Sequence, residues 1–151
     1  MFLPGVFANL ENQVFAAAIN RAILSMMVRK ISLGLLSVFF VVAGIGHFVS
    51  PQTYLPLMPP YLPWHLFLIY LSGAAEVAGG VGLCVPQLRR AAGWGLIALL
   101  IAIFPANIYM LTDGLELGGK AVPAWILWAR LPLQGVLMAW VWWAAVARRA
   151  E

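Results

Sequence analysis

Glu76, Arg130, His47, Asn107 and Gln134 stand in parts of this chain that are otherwise almost wholly apolar. An ionisable or amide side chain in an apolar run is costly to bury, so such residues mark sites of binding, proton transfer or pairing. A carboxylate and a guanidinium can neutralise one another. An imidazole can take or give a proton near neutral pH. Asparagine and glutamine each carry a donor and an acceptor on one side chain. Two readings of the group stand side by side. Glu76 and Arg130 form an ion pair that fastens two helices together, or the whole group receives a ligand or handles a proton. Tyr54, Tyr61 and Tyr109 stand near the same level and could pack against a ring.

Four apolar stretches must position these residues: Ile31 to Phe48, His65 to Val85, Ala91 to Leu111 and Trp125 to Val146. Each approaches the roughly 20 residues that an α-helix needs to cross a bilayer. Long apolar runs of this kind fit helices, not the short alternating strands of a barrel. The expected fold is all-α, a membrane-spanning four-helix bundle. Glu76 lies eleven residues beyond His65, about 16 Å along a helix. His47 ends the first stretch, Asn107 lies near the end of the third, and Arg130 and Gln134 occupy one face of the fourth. All project to one half of the bilayer.

Composition agrees. Of 151 residues, 64% are hydrophobic and 9% charged, far below the roughly 25% charged residues of a soluble domain. Lipid must therefore cover much of the surface. The net charge of +4 sits in small basic groups between apolar runs, which argues against a nucleic-acid binder and for membrane orientation signals. Arg21, Arg29 and Lys30 precede the first stretch, Arg89 and Arg90 separate the second from the third, and Arg148 and Arg149 follow the fourth. The segment from Ser50 to Trp64 has no Lys or Arg, and that from Thr112 to Ala124 has only Lys120. Positive residues mark the cytoplasmic side, so both termini face inward. Tryptophans fall at the expected boundaries: Trp64, Trp125 and Trp128 outside, Trp94, Trp142 and Trp143 inside.

Residues 1–30 form an N-terminal segment distinct from the domain at 31–147. Leu10, Val14 and Ala17 share a face, with Asn9, Asn12, Gln13 and Asn20 elsewhere. That pattern suits a helix lying on the inner surface, or a leader upstream of a later start at Met26 or Met27. The apolar run after Arg29 and Lys30 ends without a small-residue cleavage site, which argues against a signal peptide.

Two prolines, Pro105 and Pro132, stand inside predicted helices, where each leaves a carbonyl four residues earlier without its donor. Those are the carbonyls of Ile101 and Trp128, and Asn107, Arg130 or water are their expected partners. The segment Pro51 to Trp64 is apolar and proline-rich, too broken for a regular helix or sheet, and is expected to cap the outer mouth of the bundle. Gly73, Gly79, Gly80 and Gly82 surround Glu76 and suit close helix approach; Ser72, Glu76 and Gly80 share a face. The one cysteine, Cys84, excludes dithiol chemistry within the chain and reads as packing. No metal motif, flavin motif or haem motif is present; His47 and His65 lack an evident third ligand.

The motifs Gly44-Ile45-Gly46-His47-Phe48, the Pro51-to-Pro63 loop, Tyr70-Leu71-Ser72-Gly73-Ala74-Ala75-Glu76, Phe104-Pro105-Ala106-Asn107-Ile108-Tyr109-Met110 and Arg130-Leu131-Pro132-Leu133-Gln134 together resemble the DoxX-like family of small membrane proteins. The resemblance covers about Val28 to Val146. It implies a four-helix membrane bundle and an association with quinone-linked oxidation or membrane redox complexes. A quinone would then lie near the polar group, with His47, Glu76, Asn107, Arg130 and Gln134 as head-group or proton partners and Tyr54 and Tyr109 against the ring. The chain would be the inner-membrane subunit of a quinone-linked oxidoreductase, working with a soluble or membrane redox partner, and could self-associate. A small transporter for a hydrophobic solute, and a structural subunit of a larger complex, are the alternatives from other classes.

Overall fold

The computed structural model describes the backbone of residues 4–147 and the side chains of residues 12–147. Leu10 and Asn9, on which the surface-helix pattern partly rests, and Arg148 and Arg149 lie outside the described side chains. The protein is all-α apart from one small hairpin. Four helices are long and apolar enough to cross a membrane: Asn12–Val49, His65–Cys84, Arg89–Asp113 and Ala124–Val146.

Helix α1 spans Pro4–Val49, a longer element than the stretch Ile31 to Phe48 suggests. Pro4 is tolerated in a first turn, and no proline follows until Pro51, so nothing stops the helix. The chain divides into two compact units, Met1–Ser32 and Leu33–Glu151. In the first unit the side chains from Asn12 onward are almost all exposed, among them Val14, Phe15, Leu24 and Met27.

In the second unit, buried positions recur every three or four residues. Along α1 they are Leu33, Leu36, Ser37, Phe40 and Gly44, the repeat of one inward helix face. Helix α2 is a single turn, Pro51–Tyr54, with proline at its first position, and a 3-10 turn, Leu55–Leu57, follows. The prolines of this segment thus permit short helical turns while preventing longer ones. Trp64 then adopts a left-handed backbone, φ 55° and ψ 47°, and helix α3 begins at His65 and ends at Cys84. Helix α4 spans Arg89–Asp113 and continues through Pro105. Helix α5 spans Ala124–Val141 and continues through Pro132.

Between α4 and α5, strands β1 (Glu116–Leu117) and β2 (Lys120–Ala121) pair antiparallel. Gly118 and Gly119, at φ 59° and 76°, supply the two left-handed residues that a two-residue hairpin turn requires. This hairpin is an addition to the loop expected from Thr112 to Ala124; Gly118-Gly119 was its signal. After α5 a wider π turn runs over Trp142–Val146, closed by the Ala147 N–H donating to the Trp142 carbonyl at 2.8 Å. Its extra residue per turn lets three consecutive residues, Ala144, Ala145 and Val146, all face inward.

Helix α4 packs against both α3 and α5. Towards the Arg89 end, Leu33, Leu36, Phe40, Leu83, Leu96, Ile97, Leu100 and Val141 form the main apolar core. Towards the Asp113 end, Met110, Leu115 and Leu127 form a smaller one, with Leu57 packed on it. Small residues set the spacing. A Cβ placed on Gly73 would lie 2.6 Å from the His47 Cβ and 2.9 Å from the Gly44 carbonyl oxygen, and one on Gly80 would lie 3.0 Å from the Ser37 carbonyl oxygen. Helices α1 and α3 thus meet backbone against backbone. The outward faces carry Val38, Val42, Phe67, Leu71, Ile101, Leu133 and Val136, all exposed. Monomeric soluble proteins rarely show apolar surface of that extent.

Candidate functional site

The close approach of α1 and α3 positions the first half of the site. Three residues beyond Gly44 comes His47, and three beyond Gly73 comes Glu76, so each projects from the same side of its helix as the contact glycine. His47 Nε2 lies 3.6 Å from Glu76 Oε2. His47 Nδ1 lies 3.1 Å from the Ile69 carbonyl oxygen and 3.2 Å from the Ser72 hydroxyl, which itself donates to Ile69 at 2.9 Å. The Tyr54 ring stacks on the imidazole with centroids 4.0 Å apart. Burial, and after it the neighbouring Glu76 carboxylate, push the Tyr54 phenol above its ordinary titration range.

The Ile69 carbonyl can only accept, so a hydrogen on Nδ1 would point at it; with the hydrogen on Nε2 instead, Nδ1 would accept from the Ser72 hydroxyl and Nε2–H would face Glu76. In either form an imidazole and a carboxyl group stand face to face in apolar surroundings, where an uncompensated charge is strongly disfavoured. At 3.6 Å the contact is longer than a hydrogen bond, and Glu76 Oε2 is buried without a hydrogen-bond partner.

The second half lies between α4 and α5. Asn107 Nδ2 donates to Gln134 Oε1 at 2.7 Å, and Gln134 Nε2 donates to the Leu100 carbonyl in a short contact. Leu100 is the neighbour of Ile101, whose carbonyl loses its donor to Pro105, so Gln134 supports the backbone beside the proline. Asn107, Arg130 or water is the partner expected from sequence for the Ile101 carbonyl itself; Asn107 instead donates to Gln134. Asn107 Oδ1 is buried and has no partner.

The pairing of Glu76 with Arg130 does not form. Arg130 is half-buried and takes part in no ion pair among the described residues; Glu76 faces His47 instead. The reason lies in the packing: α1 approaches α3 through glycines, while α4 is the helix that packs against both α3 and α5. Equal depth in two helices does not bring their faces together. The polar residues accordingly divide into two groups, the bonded His47–Ser72 pair with Glu76 facing it and the hydrogen-bonded Asn107–Gln134 pair, with Arg130 in neither. Tyr109 is half-buried and its ring joins no aromatic stack among the described residues, and Tyr61 is exposed. Ser72 had no role assigned from sequence, although its place on the Glu76 face was the available signal. Cys84 is exposed, not packed, and its thiol donates to Ser37 Oγ at 3.2 Å.

The segment before α3 is held over this end of the molecule. His65 Nε2 lies 3.0 Å from the Pro59 carbonyl oxygen, and Pro59 is fully buried. Among the described residues no group of three His, Cys, Asp or Glu side chains comes close enough to hold a metal ion.

Fold and site together define a helical bundle with buried, incompletely hydrogen-bonded polar side chains. The chain belongs to the family described as a domain of unknown function (DUF8561), whose profile matches residues 36–145. That span contains every residue of both polar groups. No curated protein and no solved structure matches the chain.

Proposed function

We propose that the protein spans the bacterial inner membrane with both termini on the cytoplasmic side, and that it is the membrane subunit of a redox system, binding a quinone-class head group in its outer half. The observation that carries the reading is the His47–Glu76 pair: an imidazole and a carboxyl group buried within 3.6 Å of one another, beneath a stacked tyrosine, with a carboxyl oxygen that has no hydrogen-bond partner. Sites for amphipathic molecules combine apolar walls with a few convergent polar groups. A quinone-class ligand needs both, along with a group that exchanges protons as its ring oxygens change state. The resemblance to DoxX-like proteins supports the same reading. The distribution of Arg21, Arg29, Lys30, Arg89 and Arg90 supports the orientation. Electrons would come from or go to a partner subunit, because no electron-carrying motif lies in this sequence.

A structural subunit of a larger complex is the second reading. It is favoured by the exposed apolar side chains of Val14, Phe15, Ile23, Leu24 and Met27 in the first unit.

Native mass spectrometry of protein extracted gently from its own membranes tests the main reading. The expected spectrum contains a quinone-class molecule bound to the chain. Spectra with no adduct beyond phospholipid, across mild and harsh activation, refute it.

A further inference from the structure

One face of the His47 imidazole is covered from outside the long helices. The Tyr54 ring lies on it with centroids 4.0 Å apart and planes 25° from parallel. The Tyr54 hydroxyl oxygen fills the notch at Gly46, where an added Cβ would stand 2.7 Å from it. The phenol makes no hydrogen bond to any described residue, so contact alone holds it there. The other groups against the imidazole cannot step aside. The Ile69 carbonyl, Ser72 and Gly73 belong to α3, which meets α1 backbone to backbone. Tyr54 instead ends α2, a turn of four residues. The segment that carries it is fixed only at its ends. The Ser50 N–H donates to the Gly46 carbonyl at 3.0 Å, and Pro59 is fully buried with its carbonyl 3.0 Å from His65 Nε2. The side chains of His47 and Glu76 are only 12% and 11% exposed. A molecule that reaches them must displace part of their surroundings, and Tyr54 is the part that yields at least cost.

We infer that Tyr54 holds the place of the ligand's ring: an aromatic head group enters by displacing the phenol and takes over its stack on His47. This rests on the quinone-class reading above and adds that the resting site is occupied by the chain itself. A phenol is a flat six-membered ring bearing an oxygen, which is the outline of a quinone-class head group. The slot offers such a ring the face of the imidazole and offers one ring oxygen the notch at Gly46. Glu76 stands near enough to the slot for its carboxylate to act on the Tyr54 phenol. The exchange is close to even, because an incoming ring rebuilds the stack that it breaks and the phenol gives up no hydrogen bond to the chain in leaving.

The chain has two histidines, His47 and His65, so histidine-labelled protein in nanodiscs gives one NMR signal for the slot and one reference at the fixed end of the segment. In Tyr54→Ala the His47 ring protons should lose the upfield shift that the stack imposes. Adding p-cresol, the tyrosine side chain without its backbone, should restore that shift saturably and leave His65 unmoved. Wild type and Tyr54→Phe keep the ring, and their His47 signals should not respond to p-cresol. Decylubiquinone should bind Tyr54→Ala several-fold more tightly than it binds those two chains, within the range that an aromatic stack supports, and p-cresol should compete with it. A His47 signal in Tyr54→Ala that p-cresol leaves unmoved overturns the inference. So does decylubiquinone binding to the wild type as tightly as to Tyr54→Ala, which leaves the quinone-class reading standing. Restoration by p-cresol with no decylubiquinone bound to any of the three chains overturns the quinone-class reading alone.

Discussion

Adding one methyl group at Gly73 perturbs both the packing of the bundle and the His47–Glu76 pair. A Cβ there would stand 2.6 Å from His47 Cβ, 2.9 Å from the Gly44 carbonyl oxygen and 3.1 Å from Phe48 Cε2. Carbon atoms settle at roughly 3.5–4.0 Å, so Gly73→Ala must part α1 from α3 by about 1 Å. Two of the three obstacles are main chain or directly attached to it and cannot swing away. Overpacking of this kind costs about 1–3 kcal/mol. Against it stands a gain of about 0.5–1 kcal/mol from replacing a glycine in a helix interior. Gly135→Ala is the matched control, because a Cβ there meets nothing within 4 Å. The propensity gain is common to both variants and cancels, so Gly73→Ala should be less stable than Gly135→Ala by the full overpacking cost of about 1–3 kcal/mol. Unfolding by SDS in mixed micelles, followed by tryptophan fluorescence, measures that difference. The same shift would carry His47 Nδ1 from 3.1 Å to beyond bonding distance of Ile69, so the imidazole nitrogen resonances should move in Gly73→Ala alone. Equal stability of the two variants would refute the claim that α1 and α3 meet backbone to backbone.

Glu76→Gln and Arg130→Gln should destabilise additively, within about 0.5 kcal/mol; coupling well above that would mean that the two residues interact after all. Gln134→Leu removes the side-chain donor to the Leu100 carbonyl and leaves the buried Asn107 amide without its partner, and should cost about 1–3 kcal/mol in the same SDS titration. A neutral result would show that α4 does not depend on this support beside Pro105. For orientation, single cysteines at Gln52, Leu117 and Gln87 in a Cys84→Ser background should label with an impermeant maleimide at the first two positions only in intact spheroplasts. Labelling of the Gln87 position from outside would reverse the assignment.

The long helices could be read from the sequence because each is an unbroken apolar run near the length of a bilayer. Their ends came within a few residues, the exception being the start of α1, where no breaker marks a boundary. The partner of Glu76 could not be read from depth. Depth fixes how far along a helix a residue lies; partnership also requires the direction in which it projects. That direction was encoded in Gly44-x-x-His47 and Gly73-x-x-Glu76, since small residues mark where two helices touch. The Asn107–Gln134 bond joins side chains 27 residues apart on different helices, and only the packing of α4 on α5 reveals it. The π turn at Trp142–Val146 has no residue that announces it; within it Ala145 and Val146 pack against Gly93.

The hairpin at Glu116–Ala121 has a practical consequence. Its turn residues, Gly118 and Gly119, are exposed and surrounded by open space, while its base is held by the Val122 N–H donating to the Leu115 carbonyl at 2.7 Å and by Leu115 in the apolar cluster with Met110 and Leu127. The tip is therefore decoupled from the bundle by a pinned stem. Exposed tips of this kind accept foreign sequence with little penalty. A protein of 151 residues offers electron microscopy almost nothing to align on, and a small rigid domain spliced between Gly118 and Gly119 would provide that marker without touching either polar group.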